Sequence, residues 1–198
     1  RAFVDRSEVR MKAGVEAEGR RAIVVRADVG DKDDVERLFT EAIDAFGRID
    51  ILMNNASVDA SGTYVADIDI DDFAAALRVN LFGPVMCSGY FVRHRSSLGA
   101  AGTRGGRIIN VTSVHEEIPR AGAADYDCSK GALRNLTRTL ALEVAEKGIT
   151  VPTVQVDIAK AAEYSCEDSD QTLDVHRVLW PRLQADDKLR FIYELEMR

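Results

Sequence analysis

Short apolar runs rich in β-branched residues alternate with helical patterns along the first 156 residues, and this alternation constrains the fold more than any other feature. Ala22 to Arg26, Ile49 to Met53, Arg107 to Val111 and Ile149 to Val156 read as strands, and Ala2 to Val4 as the end of another. Pro152 weakens the last run, because proline gives no N–H to a ladder. Between them the sequence predicts helices. Glu8 to Glu18 stops at Gly19. Asp31 is placed to cap a helix whose face is Val35, Leu38, Phe39, Ala42, Ile43 and Phe46, ending at Gly47. Further helices are predicted from Asp71 to Leu77, from about Leu81 to Arg95, and from about Tyr126 to Glu146 with a stop at Gly148. Strands joined through helices form parallel crossovers, so the expectation is a mostly parallel sheet covered on both faces. Right-handed crossovers make this a doubly wound, three-layer α/β fold.

The bulk properties bound the partners. The chain has 198 residues, enough for one domain with a sizeable core, and a net charge of −7. Nucleic acid and anionic membrane surfaces call for clustered Lys and Arg, so neither is an expected partner. No apolar run approaches the roughly 18 residues of a membrane span. Cys87, Cys128 and Cys166 are widely spaced and form no CxxC pair, which suggests neither zinc nor a disulfide framework and fits a reducing cytoplasm. No metal is expected. Arg1 opens straight into an apolar stretch, so we expect a natural start that is missing or processed. Residues 1–156 read as the α/β core. Residues 157–198 read as a diverged tail, polar and acidic from Glu163 to Asp174, with short helices over Val175 to Leu183 and Leu189 to Met197.

The chemistry centres on Tyr126-Asp127-Cys128-Ser129-Lys130. Residues four apart share a helix face, and an ammonium beside a phenol lowers a pKa that is about 10 in water. Tyr126 then becomes a candidate general acid or base. Ser113 follows the strand ending at Val111, and strand carboxyl ends are where ligands bind in α/β sheets. Its hydroxyl suits a reacting oxygen, with a loop serine capping a turn as the alternative. Asn54-Asn55-Ala56 ends the strand Ile49 to Met53 and lines a crevice or makes a turn. Asn80, polar inside an apolar helical pattern, needs a kink or a bound water to explain it. Asp28-Val29 marks a ligand contact or simply a strand end leading to the Asp31 cap.

In order and placement these residues resemble the short-chain dehydrogenase/reductase family over roughly residues 1 to 150. The resemblance implies a Rossmann-like fold binding NAD or NADP. Asn80, Ser113, Tyr126 and Lys130 match the catalytic tetrad. Asn54-Asn55-Ala56-Ser57 matches the NNAG segment with Ser57 in place of Gly, and Asp28-Val29 matches the adenine contact. Ser113-Val114-His115-Glu116-Glu117-Ile118-Pro119 is similar to the glucose dehydrogenase branch, which makes His115 a candidate substrate contact; a surface-loop histidine is the alternative. By the same resemblance Tyr126 exchanges the proton, Ser113 holds the substrate oxygen, Lys130 lowers the Tyr126 pKa and holds the nicotinamide ribose, and Asn80 positions a relay water. Cofactor choice falls just after the second family strand, at Asp5-Arg6-Ser7. Acidic Asp5 suits NAD and Arg6 suits a 2′-phosphate, which tilts the reading slightly to NADP or dual use. The expected partners are a small-molecule substrate and further copies of the chain, as a dimer or tetramer.

Three departures accompany the matches. The sequence has no TGxxxGxG segment, and Gly99, Gly102, Gly105 and Gly106 precede a strand instead of following one. After Ile149 the family's VNxxxPG is replaced by Val151-Pro152-Thr153-Val154-Gln155-Val156-Asp157. The family's substrate loop and final strand are not recognisable from Ala159 onward. Without the opening strand, Val4 is expected either to pair directly with Ile49 to Met53 or to lie in a poorly ordered N-terminal part. Two functions are compatible with this pattern. One is an NAD(P)-dependent oxidoreductase of small alcohols, polyols or sugars. The other is a non-catalytic relative that uses the helices Leu81 to Arg95 and Tyr126 to Glu146 as an oligomerising module.

Overall fold

The structure, a computed structural model, describes residues 4–99 and 105–156. The tail and its two expected helices, together with Ala2 and Phe3, lie outside the described residues. Residues 4–25 and 26–156 belong to two compact units. In the first, helix α1 spans Val4–Ala17 and Gly19, at φ +73°, turns the chain with its N–H on the Glu16 carbonyl at 3.0 Å. Val4 therefore opens a helix and is not the expected strand end. Glu8, Arg10, Met11, Lys12 and Ala13 are good helix formers and carry the helix.

Ala22 to Arg26 is also a correction. It is not part of a ladder, and Ile23 and Val24 are 39% and 44% exposed. A β-branched run fits a pleated, half-buried surface, but a strand exists only through a neighbour. Among the described residues none lies beside it.

The second unit carries the sheet. Helix α2 (Lys32–Phe46) begins at Asp31, whose side chain accepts the N–H groups of Asp33 and Asp34, and ends at Gly47 with φ +77°. Strand β1 (Ile51–Asn54) follows, then helix α3 (Ile70–Leu77), a π-helical turn (Arg78–Phe82) and helix α4 (Gly83–Ser97). Strand β2 (Gly106–Ser113) leads through a 3-10 turn (Val114–Glu116) to helix α5 (Ala124–Val144). The chain closes with β3 (Ile149–Thr150) and β4 (Thr153–Val156). All ladders are parallel, and β2 is central. β1 flanks it on one side. β3 and β4 share one register along the other, from Gly106↔Ile149 to Ser113↔Val156. The single predicted strand is split where Pro152 stands, and there the Pro152 carbonyl still accepts the Asn110 N–H at 3.3 Å.

The core lies between the sheet and its helices: Val35 and Phe39 from α2, Cys87 and Phe91 from α4, Ile108 from β2, Leu140 and Val144 from α5, and Ile149 from β3. Burying side chains of this size contributes about 1.5–3 kcal/mol each, which fixes the strand ends against α5. Among the described residues no helix is long and apolar enough to cross a membrane.

Candidate active site

The carboxyl ends of β1 and β2 and the first turns of α5 meet at one place. Ser113, the last residue of β2, is fully buried. Its Oγ accepts the His115 N–H at 3.2 Å, so it does cap the 3-10 turn, and its hydroxyl is also one of the groups that act on the Tyr126 phenol. Lys130, one turn along α5 from Tyr126, is 3% exposed, with Nζ 5.4 Å from the Tyr126 ring centroid. Its ammonium donates to the Val111 carbonyl at 3.1 Å.

The electrostatics depart from expectation in sign. Burial is the largest influence on Tyr126 and pushes its phenol above the ordinary value. The Ser113 hydroxyl and the Arg120 guanidinium pull it back, while Asp59 and Asp127 push it further. The Lys130 ammonium donates to the Val111 carbonyl and is itself pushed down to about 8 by burial.

Asn80 sits in the π-helical turn and is 1% exposed. The π-helical turn breaks the α-helical pattern at this residue. The side-chain amide is saturated by protein. Oδ1 accepts the Val58 N–H (2.8 Å) and the Ser57 hydroxyl (3.1 Å); Nδ2 donates to the Val58 carbonyl (2.9 Å) and to Ser129 Oγ (3.0 Å). Ser129 Oγ in turn donates to the Tyr126 carbonyl at 2.6 Å. The amide thus has no position left for a relay water, and its work is to fasten the loop after β1 to the first turn of α5.

His115 is 9% exposed, so it is not a surface-loop residue. Its Nδ1 lies 2.6 Å from the Ile118 carbonyl, which makes Nδ1 the protonated nitrogen. Nε2 is buried without a hydrogen-bond partner, and the ring stands edge-on to Tyr126 with centroids 6.3 Å apart.

The remaining expected residues are spread more widely. Asn54 is buried in a polar network, whereas Asn55 and Ala56 are exposed just beyond β1. Asp28 is exposed; its Oδ1 accepts the Gly30 N–H at 2.8 Å, the geometry of a turn leading into the Asp31 cap. Val29 packs against Gly83, where an added Cβ would come within 2.9 Å of its Cγ2. Asp5 and Arg6 stand in α1, not at a strand's end.

Sequence reasoning passed over Asn110, Ser129 and Asp125. Asn110 interrupts an apolar strand, which is a readable signal. Asp125 is 2% exposed and accepts the Ser61 N–H at 3.0 Å and the Tyr126 N–H at 2.9 Å, tying a second loop to the start of α5. Burial pushes its carboxyl up, but these N–H bonds outweigh that and hold it below the usual carboxylate range.

Comparison with known proteins accords with this arrangement. The family model described as short chain dehydrogenase matches residues 2–170. The chain is 35% identical over 146 residues to a 3-oxoacyl-[acyl-carrier-protein] reductase of Synechocystis sp., covering 72% of this chain and 55% of that protein. It is 36% identical over 140 residues to a meso-2,3-butanediol dehydrogenase of Serratia marcescens, covering 71% and 53%. It is 37% identical over 131 residues to a glucose 1-dehydrogenase of Gluconobacter oxydans, covering 66% and 47%. The chain thus spans about half the length of the curated relatives it matches. With a parallel α/β sheet, the Tyr126–Lys130 pair beside Ser113 and a family match over most of its length, the chain belongs to the short-chain dehydrogenase/reductase family.

Proposed function

We propose that the protein is an NAD(P)-dependent oxidoreductase acting on a hydroxyl or carbonyl group of a small alcohol, polyol or sugar, with Tyr126 as general acid/base. The observation that carries the reading is the convergence of the Ser113 hydroxyl, the Tyr126 phenol and the Lys130 ammonium at the carboxyl end of β2. The names of relatives acting on glucose and on butanediol support the substrate class.

The donor set fits a nicotinamide cofactor. An ammonium has three N–H donors, and Lys130 uses one of them on Val111, which leaves two for ribose hydroxyls. The bound cofactor supplies the hydride chemistry. The chain's own part is orientation and proton transfer. Ser113 holds the substrate oxygen beside Tyr126. The upward displacement of the Tyr126 phenol keeps it protonated at neutral pH, so it acts as the acid that donates to a carbonyl oxygen; in the reverse direction the phenolate accepts the alcohol proton, which a rising pH favours. His115 Nε2, a fixed acceptor beside Tyr126, is suited to a further substrate hydroxyl. Asp28, Val29, Asn54, Asn55 and Ala56 are assigned to the adenosine side, and Asp5 and Arg6 to the choice between NAD and NADP, with NADP slightly favoured. Assembly into a dimer or tetramer through α4 and α5 belongs to the same reading, supported by exposed Val85 and Leu142 on those helices.

The test is a titration with NADH and with NADPH, followed by nicotinamide fluorescence. Saturable binding is expected; no binding of either at millimolar concentration would sink the reading and leave the non-catalytic alternative. Given binding, Tyr126→Phe is expected to abolish turnover of a diol or sugar while preserving most of the cofactor affinity.

A further inference from the structure

Lys130 is a cation in an awkward place. It is 3% exposed, and the acceptor of its hydrogen bond is a neutral carbonyl. Burying an ammonium is costly unless an opposite charge lies near. The 3-10 turn after Ser113 brings one. A Cβ on Gly131, the residue after Lys130, would lie 3.8 Å from the Glu116 carbonyl oxygen, so the turn rests directly on this part of α5. The Glu116 side chain is 4% exposed, and its Oε1 lies 3.6 Å from Arg134 Nε. Lys130 and Arg134 are four residues apart and share that helix face. Arg134 is 30% exposed and also pairs with exposed Glu117, so it divides its charge between two carboxylates.

We propose that Glu116 is a positioning residue for Lys130: its buried carboxylate, lying against the face of α5 that carries both Lys130 and Arg134, supplies the counter-charge that holds the lysine ammonium in the interior. The consequence for catalysis rests on Lys130 being the residue that holds the cofactor. Other titratable groups stand on the elements around Lys130. On α5 they include Asp125, Tyr126, Asp127, Arg134, Arg138 and Glu143, on the turn His115 and Glu117, and on the neighbouring helices Asp71, Asp72, Arg78, Arg93, His94 and Arg95, with Arg107 on β2 and Glu146 and Lys147 after α5. Of the two carboxylates on the turn that rests at Gly131, Glu116 is the buried one and Glu117 the exposed one, so the Glu116 charge is the one placed to oppose the burial that takes the ammonium down to about 8.

The experiment labels the chain with 13C at lysine Cε and follows the titration by NMR. There are six lysines, and a Lys130→Met spectrum identifies the signal. In the unaltered protein the Lys130 midpoint is expected near 8. Glu116→Gln is expected to move it down by about one pH unit. An unmoved midpoint in the folded variant overturns the proposal. Arg134→Met removes a like charge from the same helix face and frees the carboxylate for Lys130, so its midpoint is expected to rise. Should the Gln variant fail to fold, an unmoved midpoint in Arg134→Met overturns the proposal on its own. NADH titration of the same samples keeps the two readings separate: a shifted lysine midpoint without cofactor binding upholds the Glu116–Lys130 coupling and removes only the cofactor role.

Discussion

Asn54 and Asn110 are in register across β1 and β2, and their side chains are joined, Asn54 Nδ2 donating to Asn110 Oδ1 at 2.8 Å. Asn110 Nδ2 passes the connection to Thr137 Oγ1 at 2.8 Å, and Thr137 donates to the Leu133 carbonyl at 2.8 Å. A buried chain of polar groups thus ties both strand ends to α5, two turns beyond Lys130. Removing one member leaves buried donors and acceptors unmatched, at about 1–3 kcal/mol for each. Asn110→Leu and Thr137→Val each remove two of these hydrogen bonds, so both are expected to lower the urea midpoint. Midpoints equal to that of the unaltered protein would show that the network contributes nothing.

Gly83 starts α4 with no room for a side chain. A Cβ there would meet Val29 Cγ2 at 2.9 Å and the Val29 carbonyl oxygen at 3.1 Å. Gly83→Ala is expected to cost about 1–3 kcal/mol by overpacking. Val29→Ala in the same chain removes Cγ2 and is expected to recover part of the loss, read by thermal denaturation of the single and double variants.

The contrast between Val29 and Ile23 shows what a sequence can convey. Caps and helix faces are local, so Asp31, Gly47 and the apolar stripe of α2 were legible, and so was the interruption at Pro152. The run Ala22 to Arg26 has strand composition, but its state depends on a neighbour that composition cannot supply. At the site, the spacing of Tyr126 and Lys130 placed them on one helix face and Ser113 at a strand end. The sign of the Tyr126 displacement was not legible, because it depends first on burial and then on Asp59, Arg120 and Asp127, which the tertiary structure brings to the phenol. Asn80 was conspicuous, yet its partners Ser57, Val58 and Ser129 come from segments whose meeting only the tertiary structure decides.

His94 couples stability to pH. Its Nε2 accepts the Ile49 N–H at 3.2 Å, just ahead of β1, which requires the neutral ring. Burial, and then the Arg95 charge, hold its pKa below the ordinary 6.5, against a smaller opposing pull from Asp50. A folded value below the unfolded one means that the stabilisation is fully present above 6.5 and is lost as pH falls through the folded value. Denaturation midpoints between about pH 8 and 5 are expected to decline less in His94→Gln, which keeps an acceptor but does not titrate. Parallel declines in the two proteins would refute the assignment.

Asp50 receives the wholly buried Arg95 guanidinium and, at 2.8 Å, the exposed Arg48 Nε. The two pairs differ sharply in setting. Arg48→Ala removes an exposed partner and is expected to change stability by less than about 1 kcal/mol. Asp50→Asn weakens the ion pair of the wholly buried Arg95 guanidinium, and a larger loss than that of Arg48→Ala is expected, up to the scale of about 3–5 kcal/mol for breaking a buried pair. Far-UV circular dichroism against urea for the two variants measures the difference directly.

Asn80 offers the sharpest separation between a structural and a chemical role. Each of its four side-chain hydrogen-bonding positions is taken by protein, two by Val58, one by Ser57 and one by Ser129. Asn80→Asp replaces the donor that faces the Val58 carbonyl with an acceptor, so two buried oxygens oppose each other and Ser129 loses a partner. A loss of about 1–3 kcal/mol is expected, with loosened anchoring of the loop after β1. Asn80→Ser keeps some hydrogen bonding and is expected to fall between. Backbone hydrogen exchange at Ser57 and Val58 reads the anchoring, since both lie beside the amide that holds them. If exchange there and the denaturation midpoint are unchanged in Asn80→Asp, the amide is not the fastener described, and a role through bound water becomes the better account of this residue.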